Sequence, residues 1–366
     1  MTKKLKLIFF STAVLIAAVV GAIIFFGLKI VQTPMSSDQT EIVFEVSPKT
    51  PLASIAQELQ AKGLIRNAQI FQFYARIKKL GTKIKVGEYS LNRAMNADSI
   101  LATLASGKSI TRSLTVAEGL NVYDIADILE KTGLGSKEEF FKLIHDKEFI
   151  KSLLGDELES LEGYLFPETY MITKYDNLKS VIAQMVKRFL AVWPQIEPLA
   201  KQMNWTRNQV VTFASIVEKE TGASFERPLV SSVFHNRLVK KMRLQTDPTV
   251  LYGMAVEKGK MPNNISRNDL LTPTPYNSYT NFGLPPTPIS NPGQEALMAA
   301  VKPATSNYLY FVSQNNGTHI FSETLQQHNA AVQKTQIDPS ARKGKSWRDL
   351  VIERNGQTQK LHYEVK

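Results

Sequence analysis

The sequence predicts an α+β protein in three parts: an N-terminal transmembrane helix, a small α+β module and a larger α+β domain. Three observations carry that reading. A long apolar run lies near the N-terminus, a strand–turn–helix pattern occurs twice, and a sharply capped helical segment stands in the second half. With 366 residues, 43% of them apolar and 9% aromatic, the chain can bury ordinary cores in two or three units. The formal net charge of +11 is scattered rather than gathered in a dense basic tract, which argues against nucleic acid as a partner. There is no cysteine, so disulfides, thiolate metal sites and a Cys nucleophile are excluded.

The apolar run, Leu7 to Leu28, is interrupted only by Ser11, Thr12 and small residues. At 1.5 Å per residue its roughly 22 positions reach about 33 Å, enough to cross a bilayer core. Lys3, Lys4 and Lys6 precede it, and after Lys29 no Lys or Arg appears before Lys49. The positive-inside rule makes residues 1–6 a cytoplasmic tail and sends everything after the 7–28 anchor across the cytoplasmic membrane. A cleaved signal peptide is the competing reading. Its apolar core would be about 7–15 residues followed by a small-x-small site, and Lys29-Ile30-Val31-Gln32 offers none.

Residues 29–40 read as a linker. Ile42, Phe44 and Val46 alternate as in a strand, and Leu52, Ile55, Ala56 and Leu59 fall at helical spacing up to Gly63. Val116 to Val122 repeats Val46 to Leu52, which places Ile55 on Ile125, Ala56 on Ala126, Leu59 on Leu129 and Gly63-Leu64 on Gly133-Leu134. Between the copies, Ile70, Phe71, Phe73, Tyr74 and Ile77 mark a helix, and Lys85 to Leu91 a turn into a strand. Residues 41–135 therefore form one module of duplicated design. It resembles the LysM-like region of bacterial wall enzymes, a glycan-binding fold; a structural spacer accounts for the pattern equally well. Phe140 to Leu154 is amphipathic, and Leu161 to Tyr170 is an aromatic stretch suited to a packed junction or to sugar stacking. Residues 136–340 make up the larger domain, and 341–366 a basic tail.

Within the larger domain, Thr206 and Gln209 form a capping box that opens a helix from Arg207 to Thr221, with Gly222 as its stop. Asn208, Thr212, Ser215 and Lys219 gather on a polar face, while Val210, Phe213, Ala214 and Val217 face the core. Glu218 lies on one edge of the apolar stripe and Glu220 on the other, about 160° away around the axis, so the two cannot act as one carboxylate pair. A Glu at the margin of an apolar face can be held protonated by desolvation. Equally, both can be solvated helix carboxylates paired with Lys or Arg, and spacing leaves the two readings open.

A resemblance narrows the choice. Ala214-Ser215-Ile216-Val217-Glu218-Lys219-Glu220-Thr221, then Ser232-Val233-Phe234, Asn236-Arg237-Leu238, Met242 to Val250 and Thr274 to Tyr279, is similar to the YceG-like family of endolytic murein transglycosylases. Gly283-Leu284-Pro285-Pro286, Asn291-Pro292-Gly293 and Tyr308 to Val312 continue the match, which covers residues 41–335 in order. The resemblance implies Glu218 as the catalytic acid/base, with Glu220 in a supporting place. It also implies a substrate-binding set of Glu220, Gln245, Thr246, Asp247, Tyr276, Asn277 and Tyr279. Thr287 and His235 depart from the family pattern. The implied reaction cleaves the β-1,4 bond between N-acetylmuramic acid and N-acetylglucosamine without water, leaving a 1,6-anhydro end. It needs no cofactor or metal, and the five histidines show no ligand spacing. Peptidoglycan strands, the cytoplasmic membrane and peptidoglycan synthases are the implied partners. A catalytically inactive glycan-binding scaffold and a two-carboxylate muramidase are the alternatives.

Overall fold

The computed structural model describes residues 3–338, 351–354 and 357–360 of the chain. By internal contacts it divides into two compact units, Met1–Leu114 with Met171–Asp176, and Thr115–Tyr170 with Asn177–Lys366.

The first unit begins with helix α1 (Lys3–Gln32), followed by β1 (Ile42–Val46), α2 (Leu52–Ala61), α3 (Ala68–Ile77), β2 (Gly87–Leu91) and α4 (Ala97–Ser106). Strands β1 and β2 pair antiparallel, from Ile42 opposite Leu91 to Val46 opposite Gly87. Their alternation does what the sequence suggests: Phe44, Val46, Tyr89 and Leu91 point into a core closed by Ile55, Leu59, Phe71, Ile100 and Leu104. Asn67 and Asn96 cap α3 and α4 by accepting from Ile70 N and Ser99 N.

Residues 29–40 are not a free tether. Helix α1 continues through Gln32 and buries Val31 in the core of this unit. Beyond it, Pro34 O accepts from Arg66, Ser36 N donates to Arg93 O, and Ala94 N donates to Asp38 O. Among the described residues no helix is long and apolar enough to cross a membrane. The side chains of Leu7 to Ser11, which open the apolar run, lie outside that description.

The second unit holds α5 (Val122–Lys131), α6 (Lys137–Ile144), α7 (Lys147–Leu154), α8 (Leu178–Val192), α9 (Glu197–Gln202), α10 (Arg207–Glu220), α11 (Arg227–Val239), α12 (Asp247–Lys258), α13 (Arg267–Leu271) and α14 (Gln294–Val301). A hairpin, β5 (Tyr310–Ser313) with β6 (His319–Ser322), and α15 (Leu325–Val332) complete it. The division between units falls within the paired strands β3 (Arg112–Thr115) and β4 (Thr169–Ile172). The expected basic tail lies outside the described residues except for a hairpin of β7 (Val351–Arg354) and β8 (Gln357–Lys360).

Three local differences from the sequence reading have physical causes. The two copies of the strand–turn–helix pattern are real at the level of the helix: α2 and α5 each have ten residues, bury equivalent side chains and are followed by a left-handed glycine, Gly63 and Gly133. They do not share a module, however, because the start of α5 is held by Glu162 and Asn291 of the second unit, so the division comes at Leu114 rather than at residue 135. The amphipathic stretch Phe140–Leu154 is two helices, broken where Asp146 accepts from Phe149 N and starts α7. Helix α10 has its capping box but stops at Glu220, since Thr221 is extended and its Oγ1 accepts from Ala223 N. Its polar face is also covered: Thr212 and Ser215 are buried, and Ser215 accepts from Ile289 N and, through its carbonyl, from Ser290.

Candidate active site

Because α10 is buried on nearly every side from Val210 to Glu218, its two glutamates are distinguished by what packs against them. Glu218, with a side chain only 4% exposed, accepts from Arg227 Nη2 at 2.6 Å and from Gly293 N at 3.0 Å. Both of its oxygens are therefore engaged. Burial pushes its carboxyl up from the usual range, and the Arg227 guanidinium and the Gly293 N–H oppose that. Arg227 also reaches Glu118 and Glu295, at 2.9 and 2.7 Å, so it is held by three carboxylates.

Glu220, the last residue of α10, is placed differently. It lines a cavity of about 430 Å³ together with Gln245, Thr246, Asp247, Tyr279 and Arg237, and its far wall is Tyr310, Phe311, Leu325 and His328. Its one side-chain hydrogen bond among the described residues comes from Thr246 Oγ1. Desolvation and the nearby Asp247 charge push its carboxyl up, while the Thr246 hydroxyl, His319 and Arg237 pull it down; the balance is upward. Among the described residues no cation is paired with it directly.

The loop before α12 supplies most of the polar wall. Gln245 sits at φ 51°, a left-handed conformation that costs a non-glycine residue about 1–3 kcal/mol. Its N–H donates to Ser278 O at 3.1 Å and Thr246 N donates to Ser278 Oγ at 3.0 Å, which holds that conformation. Tyr279 donates to Asp247 Oδ1 at 2.6 Å, and its own hydroxyl is pushed well above the normal range by burial and by that carboxylate.

Of the seven expected binding residues, five line the cavity: Glu220, Gln245, Thr246, Asp247 and Tyr279. Asn277 does not. It is fully buried, and its amide donates to the carbonyls of Asp269, Leu270 and Thr272 while its oxygen accepts from Tyr279 N, so it shapes the loop that carries Tyr279. Tyr276 is not a wall residue either, since its hydroxyl meets Thr287 at 2.8 Å and its ring packs edge-on to Tyr252. Glu218 is not among the residues that line this cavity. His235 is half-buried against Phe213 and Trp205, and desolvation pushes its imidazole down.

The sequence reading gave no site role to Arg237 or to the aromatic wall. Arg237 donates Nε to Leu309 O and Nη1 to Leu244 O, both at 2.7 Å, and lies over the Tyr310 ring, so it ties β5 to the loop before α12 across the cavity. His328 stacks on Tyr310, and its Nδ1 is buried without a hydrogen-bond partner among the described residues. The signal for Arg237 and Tyr310 was present in Asn236-Arg237-Leu238 and Tyr308 to Val312, but only the fold shows that these segments meet. Among the described residues no cluster of three His, Asp or Glu side chains could hold a metal ion.

The cavity is partly open to solvent and sets one carboxyl that has no direct ion pair among the described residues beside aromatic rings and hydroxyl groups. The family model of the YceG-like family matches residues 44–334, and the chain belongs to that family. The endolytic murein transglycosylase of Bacillus subtilis is 31% identical over 331 residues, covering 86% of this chain and 91% of that protein. The endolytic murein transglycosylase of Streptococcus pneumoniae is 31% identical over 309 residues; the match covers 76% of this chain but 55% of that longer protein. In the crystal structure of a YceG-like protein from Listeria monocytogenes, the match has a TM-score of 0.55 at 34% identity and covers 80% of this chain and 99% of that one.

Proposed function

We propose that this protein is an endolytic peptidoglycan lytic transglycosylase whose acid/base is Glu220, with Glu218 as the structural partner of Arg227. The observation that carries this is the placement of Glu220: a carboxyl with a raised pKa, open to the cavity and without a paired cation. Burial and the neighbouring Asp247 charge favour the protonated form of this carboxyl, the form that can donate. It protonates the oxygen leaving C1 of N-acetylmuramic acid. As the carboxylate it then takes the proton from the muramyl 6-hydroxyl while that oxygen bonds to C1, which closes the 1,6-anhydro ring and leaves Glu220 protonated again. The attacking group belongs to the substrate, so its effective concentration is high and no second carboxylate is needed. The ring of Tyr279 offers a face for a sugar, and Gln245 and Thr246 offer hydrogen bonds.

One observation favours a second reading. Asp247 shares the cavity with Glu220, as a muramidase with paired carboxyls would require. Its engagement by Tyr279 weighs toward a supporting charge rather than a nucleophile.

The test is a digest of purified sacculi by the full chain and its Glu220→Gln and Glu218→Gln variants, read by mass spectrometry. Anhydro ends from the parent, lost by about 10²–10⁴-fold in Glu220→Gln and largely kept in Glu218→Gln, are expected. Reducing ends would make the enzyme a hydrolase. The opposite ranking of the two variants would return the role to Glu218, and no cleavage by the parent would leave a scaffold.

The apolar run before residue 29 supports reading α1 as a single-pass anchor with the catalytic unit outside the cytoplasmic membrane. The first unit, by its resemblance to LysM-like regions, is assigned to glycan binding. Nascent strands beside peptidoglycan synthases are then the substrate nearest to hand.

A further inference from the structure

The first unit has an apolar face that its core does not use. Helix α3 buries Phe71, Tyr74 and Ala75, yet it also carries Phe73 and Ile77 with 66% and 62% of their surfaces exposed, with Ile70, half-buried against the core, at the groove's edge. These side chains form one wall of an open groove of about 770 Å³ whose other wall is α1, from Val19 and Ala22 through Phe26 and Leu28 to Val31. Only Gln69 and the Tyr74 hydroxyl interrupt its apolar lining, and that hydroxyl is taken up by Asp98 at 2.6 Å.

The groove runs alongside the last half of the apolar run of α1. Val19 to Val31 spans about 18 Å at 1.5 Å per residue, so α3 lies level with sequence that has the composition of a membrane anchor. The relation of the two helices is held by the burial of Val31 and by the Pro34, Ser36 and Asp38 backbone bonds. Charge agrees with apolarity. Lys29, Arg76 and Lys79 are exposed and have no carboxylate partner among the described residues, whereas Lys78 is paired with Asp98. An amphipathic helix with basic residues flanking large apolar side chains is the pattern that lies in a membrane interface.

We infer that α3 is a second membrane contact: Ile70, Phe73 and Ile77 enter the outer face of a bilayer rich in acidic phospholipid, and Lys29, Arg76 and Lys79 meet its headgroups. The inference rests on α1 being the anchor. Its consequence is that the first unit is held flat against the lipid at a set orientation rather than swinging on a tether.

The chain has no cysteine, so single cysteines can each carry an environment-sensitive fluorophore. Four full-length variants are reconstituted in vesicles of phosphatidylethanolamine and phosphatidylglycerol: Phe73→Cys, Ile77→Cys, Leu15→Cys in α1, and Val43→Cys, an exposed position on β1. The expected result is blue-shifted emission at 73 and 77 that is quenched by spin-labelled lipid, with position 43 remaining aqueous and unquenched. Quenching at 15 but not at 73 or 77 overturns the second contact and leaves the anchor. No quenching at 15 removes the anchor and this inference with it. A blue shift at 73 that lipid does not quench and that fades on diluting the protein in lipid means a second copy covers α3, which also overturns it.

Discussion

At the scale of single residues, the two glutamates of α10 show what partners do to identical side chains. Glu218→Gln removes the most buried of the three carboxylates that hold the Arg227 guanidinium, and breaking a buried ion pair costs up to about 3–5 kcal/mol. A lowered melting temperature with catalysis retained is therefore expected, with circular dichroism and sacculus digestion as the paired readouts. Asp247 raises the Glu220 pKa by proximity. In Asp247→Asn that influence goes, the Glu220 carboxyl ionises earlier, and the protonated acid is lost at lower pH. The alkaline limb of kcat/KM should then move to lower pH, and a limb that stays put or moves up would show that another group sets it. Which glutamate faces the cavity was not legible in the sequence. A helical wheel sorts residues by one wet face, and α10 has almost none; the deciding partners, Arg227 and Thr246, are brought in by other helices. Gln245 to Asp247 and Tyr279 were reached only through the family resemblance of their short motifs, since the bonds that join them to one another and to Ser278 span some 32 residues of sequence.

At the scale of elements, the start of α5 is tied to two loops by a buried acid. Glu162 accepts from Val122 N at 3.0 Å and from Asn291 Nδ2 at 2.9 Å, and burial pushes its carboxyl up to about 8. The folded pKa thus exceeds the unfolded one, near 4.5. Its contribution to stability is fully present below the unfolded value and is lost as pH rises through about 8. Gln cannot ionise. The melting temperature of Glu162→Gln relative to the parent should therefore climb between pH 5 and 8, and a difference independent of pH would mean that Glu162 is already ionised in the fold. Strands β1 and β2, helices α2 and α3 and the capping box of α10 were readable from period and caps. The break at Asp146 and the covered face of α10 were not, because each depends on what packs against the element.

At the scale of the whole molecule, the lysines ahead of the apolar run Leu7 to Leu28 and their scarcity after it predict that everything beyond residue 29 is outside the cytoplasm. An alkaline phosphatase fused after Gln39 should be active, and a cytoplasmic fluorescent protein fused at the same place dark; the reverse pattern inverts the topology. The duplicated pattern was visible in the sequence, but its two copies belong to different units, since similarity between segments carries no information about which partner each will bury.

The first unit is also discontinuous in the chain, and that sets an order in time. Lys174 and Tyr175 return from the far side of the sequence to engage Glu45, Lys174 at 2.9 Å, so the unit is incomplete when Leu114 has been made. At about 5–20 residues per second, synthesis of the intervening sixty or so residues takes roughly 3–12 s. For that interval the module waits with one side open while the first helices of its neighbour emerge, and a fragment ending at Leu114 should remain in that waiting state however long it is left.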